Sequence, residues 1–220
     1  MSRRAQILAT GEIYHVYNRS VGNEKIFSDK RILKRWYRII DYYRFPQKLK
    51  YSKYQTLPTL IKDAYTAAYL KQPSIVDIYA FASMPNHFHF LVKQVFDSGI
   101  VRFFANIQNS FAKYYNLKSD RHGSLFGHTF KAKRIETDEE FLHVSRYIHL
   151  NPVTSYLIEP HDLATYPWTS LPSFVNGNGF VNSQKILDMF PSKKKYLQFI
   201  IDQADYQRTL GDIKHLLIDS

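Results

Sequence analysis

Cysteine is missing from all 220 residues. Its absence excludes disulfides and thiolate-ligated metal centres, and a reducing cytoplasm suits such a chain. No apolar run reaches the roughly 18 residues that span a bilayer. The opening Met-Ser-Arg-Arg-Ala-Gln-Ile-Leu-Ala-Thr-Gly is too short and too polar to read as a secretory leader. A cytoplasmic protein with no membrane partner is the expectation. There is no internal repeat. Acidic residues are also scarce, 19 Asp and Glu against 30 Lys and Arg, which gives a formal charge of +11. A basic chain without a membrane signal points to nucleic acid. What is abundant fits that direction. Seventeen Tyr and sixteen Phe supply rings on which single-stranded bases stack while cations meet phosphates, although most of them are expected in the core. With 45% hydrophobic and 22% charged residues the composition is globular, not disordered. The length suggests one domain, or one domain with a small extension.

Alternation and turn residues set out the elements. Residues 12–19 (Glu-Ile-Tyr-His-Val-Tyr-Asn-Arg) alternate as a strand. Ser28 and Asp29 can cap a helix over 31–43. Residues 46–74, bracketed by Pro46, Pro58 and Pro73, form an insertion with a short helix over 60–70. Strands over 75–82 and 87–95 are joined by the turn Met84-Pro-Asn86. Asp97 or Ser98 caps a helix from Ile100 to about Tyr115, with Phe103, Ile107, Phe111 and Tyr114 on its apolar side. Its other side carries Arg102, Asn106, Asn109, Lys113 and Asn116, either a solvated face or donors for a phosphate backbone. Gly123 and Gly127 mark a loop before a basic strand over 129–135. Thr137-Asp-Glu-Glu140 has the capping-box pattern, and the helix it opens is expected to stop at Pro152. After about residue 158 come short apolar pieces with two short helices either side of Pro191.

The fold class is therefore α+β. The order is the β-α-β-β-α-β of a ferredoxin-like antiparallel sheet, with helices on one face and the other face free for a ligand. The helix at 138–150 and a small C-terminal helical extension follow. Residues 1–158 read as the main domain, with its insertion at about 46–74, and 159–220 as the extension.

One stretch has chemistry that a buried strand does not need. In Phe81-Ala-Ser-Met-Pro-Asn-His-Phe-His-Phe-Leu-Val-Lys93, two imidazoles flank a phenylalanine. Residues i and i+2 of a strand project to one side. Phe88, Phe90 and Val92 thus face the helices, while His87, His89, Leu91 and Lys93 face the other way. The pair reads either as ligands converging on a divalent metal or as two half-exposed histidines. The helix at 138–150 aligns Glu140, His143, Tyr147 and Asn151 on one face. That stripe reads either as site residues or as a solvent face with Tyr147 lying along its rim.

At these positions the chain resembles a known family. "MPNHFHFLV" (84–92) resembles the HUH motif of single-tyrosine transposases, and "RYIHLNPV" (146–153) resembles the tyrosine-helix signature of their REP-associated branch. "YHVYNRSVGNEKIF" (14–27), "GSLFGHTFKAKRI" (123–135) and "YPWTS" (166–170) are similar to that branch as well. The resemblance covers roughly residues 12–172. It implies that His87 and His89 bind metal, with Asn151 as the amide ligand and Tyr147 as the nucleophile. It also implies Mg²⁺ or Mn²⁺ as cofactor, single-stranded DNA with hairpin structure as partner, and nicking and joining through a 5′-phosphotyrosine intermediate. His143 would then serve as a base for the phenol or as its orienter, or would simply lie exposed on the surface. Phosphate contacts are expected from Arg102, Asn106, Lys113, Lys118, Arg121, Lys131, Lys133 and Arg134. Tyr115, Phe126 and Trp168 are candidates for base stacking or for packing. A monomer and a homodimer both fit the sequence.

Two competing readings remain at this level. A single-stranded nucleic-acid binder that keeps the fold needs the charge and the rings but not the four site residues together. A zinc hydrolase built on the histidine pair needs a third ligand, and none stands at a convincing spacing on that strand.

Overall fold

The computed structural model describes residues 7–209; residues 1–6 and 210–220, the latter within the expected C-terminal extension, lie outside the described residues. Four strands, β1 (Ile13–Arg19), β2 (Val76–Met84), β3 (His87–Gln94) and β4 (Lys131–Ile135), form one antiparallel sheet in the order β2-β3-β1-β4. Helix α1 (Lys30–Tyr43) follows β1, and α4 (Gly99–Lys118) joins β3 to β4. This is the expected β-α-β-β-α-β path. The insertion between α1 and β2 holds two helices, α2 (Tyr51–Gln55) and α3 (Thr59–Leu70). After β4 come α5 (Asp138–Thr154), a 3₁₀ turn (Pro160–Thr165), α6 (Leu171–Asn176), α7 (Gln184–Leu187) and α8 (Lys193–Ile201). Among the described residues no helix is long and apolar enough to cross a membrane.

The chain divides into two compact units that interleave along the sequence. Among the described residues the first comprises 7–77, 85–87 and 92–134, the second 78–84, 88–91 and 135–209.

In the first unit α1 packs on α4. Asp29 caps α1 by accepting from the amides of Arg31 (2.7 Å) and Ile32 (3.0 Å). Phe27, Trp36 and Phe111 form a ring cluster with centroids 5.0–5.1 Å apart, a spacing at which aromatic pairs add about 1 kcal/mol each beyond burial. The buried side of α4 ends on Tyr115, not on the expected Tyr114. Tyr115 follows Phe111 by four residues and so keeps to its stripe, and its hydroxyl donates to Glu24 (2.9 Å). Along β1 the residues alternate as the pleat requires: Tyr14, Val16 and Asn18 are buried, whereas His15, Tyr17 and Arg19 are not fully covered. Asn18 donates to the carbonyl of His128 (2.9 Å). The insertion is held by phenols. Tyr65 receives the amides of Lys48 and Leu49 and donates to Gln47, Tyr43 receives the amide of Tyr51, and Tyr42 donates to the carbonyl of Leu49.

Gly99, the first residue of α4, lies so close to the chain before β2 that an added Cβ would collide with the carbonyl oxygen of Ile75. That oxygen already accepts from the amide of Val95 (3.2 Å) and cannot retreat freely. Gly99→Ala is therefore expected to destabilise the protein by about 1–3 kcal/mol, read as a lower urea midpoint at unchanged m-value.

In the second unit α5 begins at the Thr137 cap, whose Oγ1 accepts from the amide of Glu140 (3.1 Å). Glu140 reaches back to the amide of Glu136 (3.1 Å) rather than to that of Thr137. The helix does not stop at Pro152 as expected; it continues to Thr154 with the proline inside. Pro152 lies in the last turn, where its missing N–H costs a single helical bond. Carbonyls of this turn are satisfied, that of Asn151 by the amide of Ser155 (3.0 Å) and that of Pro152 by the amide of Leu157 (2.9 Å). Asn151 is thus a helical residue, one turn after Tyr147.

The expectation of a free second sheet face is corrected in this unit. Ile78–Met84 and Phe88–Leu91 are buried on both sides. Helix α5 covers one part, with Phe141 edge-on to Tyr79 at 5.2 Å. Phe180 stacks on Phe81 at 5.5 Å. Residues 168–170 run antiparallel to β2, with the amide of Ser83 bonded to Trp168 and that of Ser170 to Phe81 (both 2.9 Å). An edge strand otherwise open to association is thereby covered.

Candidate active site

The second unit brings Tyr147 against His89 and holds Asn151 one helical turn beyond Tyr147. His89 on β3 is only 7% exposed. Alternation alone placed it on an open face, but α5 returns over that face. Tyr147 on α5 meets the imidazole edge to face, with ring centroids 5.5 Å apart and planes at 87°. Its ring is nevertheless 40% exposed. Tyr147 is thus backed by a buried imidazole while part of the residue remains exposed. Asn151 is 7% exposed, and its Nδ2 donates to the carbonyl of Tyr147 (2.8 Å). That bond uses the N–H end of the amide; the other end is an acceptor oxygen.

In the first unit His87 stands at the start of β3, two residues before His89 on the same strand. Its Nδ1 lies 2.6 Å from the side-chain oxygen of Asn86. The turn that presents it is fixed by the amide of Ser20 bonded to Asn86 and that of Phe27 bonded to Pro85 (both 2.9 Å). Burial, and then the positive charge of Arg19, pull the His87 pKa down to about 4. At neutral pH the ring is uncharged, the form in which imidazole ligates metal. His15 on β1 behaves alike, lowered to about 4 by burial and then by Lys133. The sequence reading passed over His15 and Arg19. The strand alternation that sets His15, Tyr17 and Arg19 on one side of β1 was the available signal.

Among the described residues the polar contacts of His143 fall on its own helix, and its ring lies 6.3 Å from that of Phe199 on α8. Nδ1 is 2.6 Å from the Arg146 guanidinium, and Nε2 is 3.5 Å from the Glu139 carboxylate. Glu140, the first residue of the expected stripe, serves the helix cap.

The expected phosphate contacts divide into two sorts. Arg102, Asn106 and Lys113 on α4 and Lys131 and Lys133 on β4 are exposed. Arg121 instead pairs with Glu24 (2.9 Å) and donates to the carbonyl of Ser124 (2.9 Å), fixing the loop after α4. Arg134 pairs with Glu12 (2.9 Å). Of the candidate stacking rings, Tyr115 and Phe126 are buried as packing residues.

No family model matches the chain, and no curated protein matches it. Solved structures do match. One is the REP-associated tyrosine transposase bound to a REP hairpin, with a TM-score of 0.52 and 13% identity over 80% of this chain and 86% of that one. At this identity the likeness is one of fold: the chain is built on the architecture of that tyrosine transposase. It agrees with the resemblance carried by the sequence motifs.

Proposed function

We propose that the protein is a metal-dependent enzyme that nicks and joins single-stranded, hairpin-containing DNA in the manner of a transposase, with Tyr147 as nucleophile. One observation carries the reading. On a fold shared with a tyrosine transposase, a partly exposed tyrosine packs edge-on against the second histidine of a His-Phe-His strand, with an amide one helical turn beyond.

The donors suit a divalent cation. His87 and His89 offer imidazoles and Asn151 an amide oxygen, which leaves positions for water and phosphate oxygens. Mg²⁺ or Mn²⁺ held by these residues would offset charge on the scissile phosphate. The protein's own part is nucleophilic. The Tyr147 oxygen attacks phosphorus, the DNA 3′-oxygen leaves and takes a proton, and a 5′-phosphotyrosine bond replaces the broken phosphodiester. A 3′-hydroxyl from another strand reverses these steps, joins the new ends and restores the phenol. An ordinary phenol, with a pKa near 10, is a poor nucleophile at neutral pH. His89 holds the ring from behind and limits its rotation, so less orientational freedom is lost on attack. The contacts of His143 weigh against the base: Nδ1 lies 2.6 Å from the Arg146 guanidinium and Nε2 3.5 Å from the Glu139 carboxylate, so both ring nitrogens already face other groups. His143→Ala is accordingly expected to slow adduct formation less than tenfold, well short of the 10²–10⁴ that a general base contributes.

The test uses single-stranded hairpin DNAs labelled on the 3′ side, incubated with Mn²⁺. A denaturation-resistant protein–DNA adduct that disappears with EDTA supports the reading. The second reading is a hairpin binder without chemistry, which the likeness to a hairpin-bound structure also supports, since at 13% identity that likeness extends to the fold alone. Tight binding with no adduct, across varied hairpins and with both cations, would establish the binder instead.

A further inference from the structure

Helix α5 carries a second polar set on its reverse side. His149 follows Tyr147 by two residues, about 200° around the helix. It is completely buried, and both ring nitrogens are engaged: Nδ1 lies 2.9 Å from the Tyr196 hydroxyl of α8, and Nε2 lies 2.6 Å from Ser170 Oγ. The connection continues at both ends. The amide of Phe81 on β2 donates to Ser170 Oγ (2.9 Å). The Tyr196 hydroxyl donates to Ser145 Oγ (3.2 Å), which donates to the carbonyl of Leu142 (2.8 Å).

One direction of donation satisfies every group: Phe81 N–H to Ser170, Ser170 to His149 Nε2, His149 Nδ1–H to Tyr196, Tyr196 to Ser145, and Ser145 to Leu142. The chain of bonds runs from β2 through the 166–170 segment and α8 back into α5. Aromatic contacts close around it, with Phe174 edge-on to His149 at 5.0 Å and stacked on Tyr196 at 5.1 Å. Ser145, His149, Ser170 and Tyr196 are all 0% exposed, so none of them can touch DNA, and the proposed reaction uses none of them.

We propose that His149, Ser170 and Tyr196 are positioning residues that clamp the back of α5 and fix its rotation, so that Tyr147 and Asn151 face β3. Apolar packing is non-directional and tolerates sliding. A buried hydrogen-bond chain is directional, because any rotation that breaks one link strands polar groups away from water. With a helix radius of about 5–6 Å including side chains, a turn of roughly 10° moves a side-chain tip by about 1 Å. A misplacement of that size costs about a hundredfold in rate. The clamp also explains why "RYIHLNPV" and "YPWTS", far apart in the chain, belong to one device. Its catalytic consequence rests on the proposed function; its structural part does not.

The test compares His149→Phe, Tyr196→Phe and His149→Gln with the unaltered full-length chain. His149→Phe keeps a ring and removes both bonds; Ser170 keeps its bond to Phe81, and Tyr196 keeps Ser145. Four quantities are read: kcat and KM for adduct formation on the hairpin probe with Mn²⁺, the hairpin Kd, and the NMR resonances of the His89 ring, which sense the ring current of Tyr147. The expected result for His149→Phe is a kcat lower by roughly ten- to a hundredfold, with KM and Kd changed less than twofold and the His89 resonances displaced. Tyr196→Phe should show the same pattern more weakly, and His149→Gln should recover part of the rate. Folded variants with unchanged kcat and unchanged His89 resonances overturn the proposal, as does a loss confined to KM and Kd. Should His149→Phe fail to fold, Tyr196→Phe decides. If the unaltered protein forms no adduct with any hairpin, the proposed function fails, and the His89 resonances alone decide the clamp.

Discussion

If the proposed chemistry holds, Tyr147→Phe is expected to abolish covalent attachment to DNA, a loss of about 10⁴-fold or more, and to leave hairpin affinity within threefold. The substitution removes one oxygen. The ring that meets His89 at 5.5 Å stays, and with it the edge-to-face contact that helps seat α5 on β3. The fold and the DNA surface therefore have no reason to change, whereas the nucleophile has no substitute at that position. This separates the two readings of the protein: a binder is indifferent to the missing oxygen. Gel analysis of the adduct and fluorescence anisotropy of the hairpin, done on one preparation, provide both numbers. An adduct that survives the substitution at its original rate would assign the chemistry to another residue.

Acid is expected to weaken the protein steeply. Complete burial lowers the His149 pKa from 6.5 to about 3, so the folded state holds this ring neutral where the unfolded chain would protonate it. Between those two values the unfolded state binds more protons, and stability rises with pH. The contribution is fully present above pH 6.5 and is lost as pH falls toward 3. At 1.36 kcal/mol per unit, this one ring removes about 3 kcal/mol between pH 6.5 and 4. His15 and His87, each lowered to about 4, act in the same direction. Against a total stability of about 5–15 kcal/mol, unfolding is expected in mildly acidic solution. Urea titrations at pH 7, 6, 5 and 4 measure the slope. His149→Phe should flatten it by about 1.4 kcal/mol per pH unit, and an unaltered slope would show that this ring takes up no proton on unfolding.

Much of the fold was legible because its signals are local. The alternation of β1, the turn at Met84-Pro-Asn86, the caps at Asp29 and Thr137 and the apolar stripe of α4 each declare an element within a few residues. The four-residue step from Tyr147 to Asn151 was legible for the same reason. What escaped depends on distant partners. Alternation could say that His87 and His89 share a side of β3, but not that α5 comes back to bury His89. Pro152 signals a helix end, yet the amides of Ser155 and Leu157 satisfy the last carbonyls and let the turn close. The basic residues of 121–134 look alike in sequence; only the placement of Glu24 and Glu12 shows that Arg121 and Arg134 are held in ion pairs. The clamp around His149 joins residues 21 and 47 positions apart in sequence, beyond any periodic pattern.

The central claim is that one phenol among seventeen tyrosines takes up DNA. Mass spectrometry of the adduct tests it most directly. Trypsin cuts after Arg146 and next after Lys185, so residues 147–185 form one peptide that also contains Tyr156 and Tyr166. The account expects a phosphonucleotide on this peptide, localised by fragmentation to Tyr147. A phosphonucleotide on Tyr156, on Tyr166 or on a tyrosine of any other peptide would contradict it.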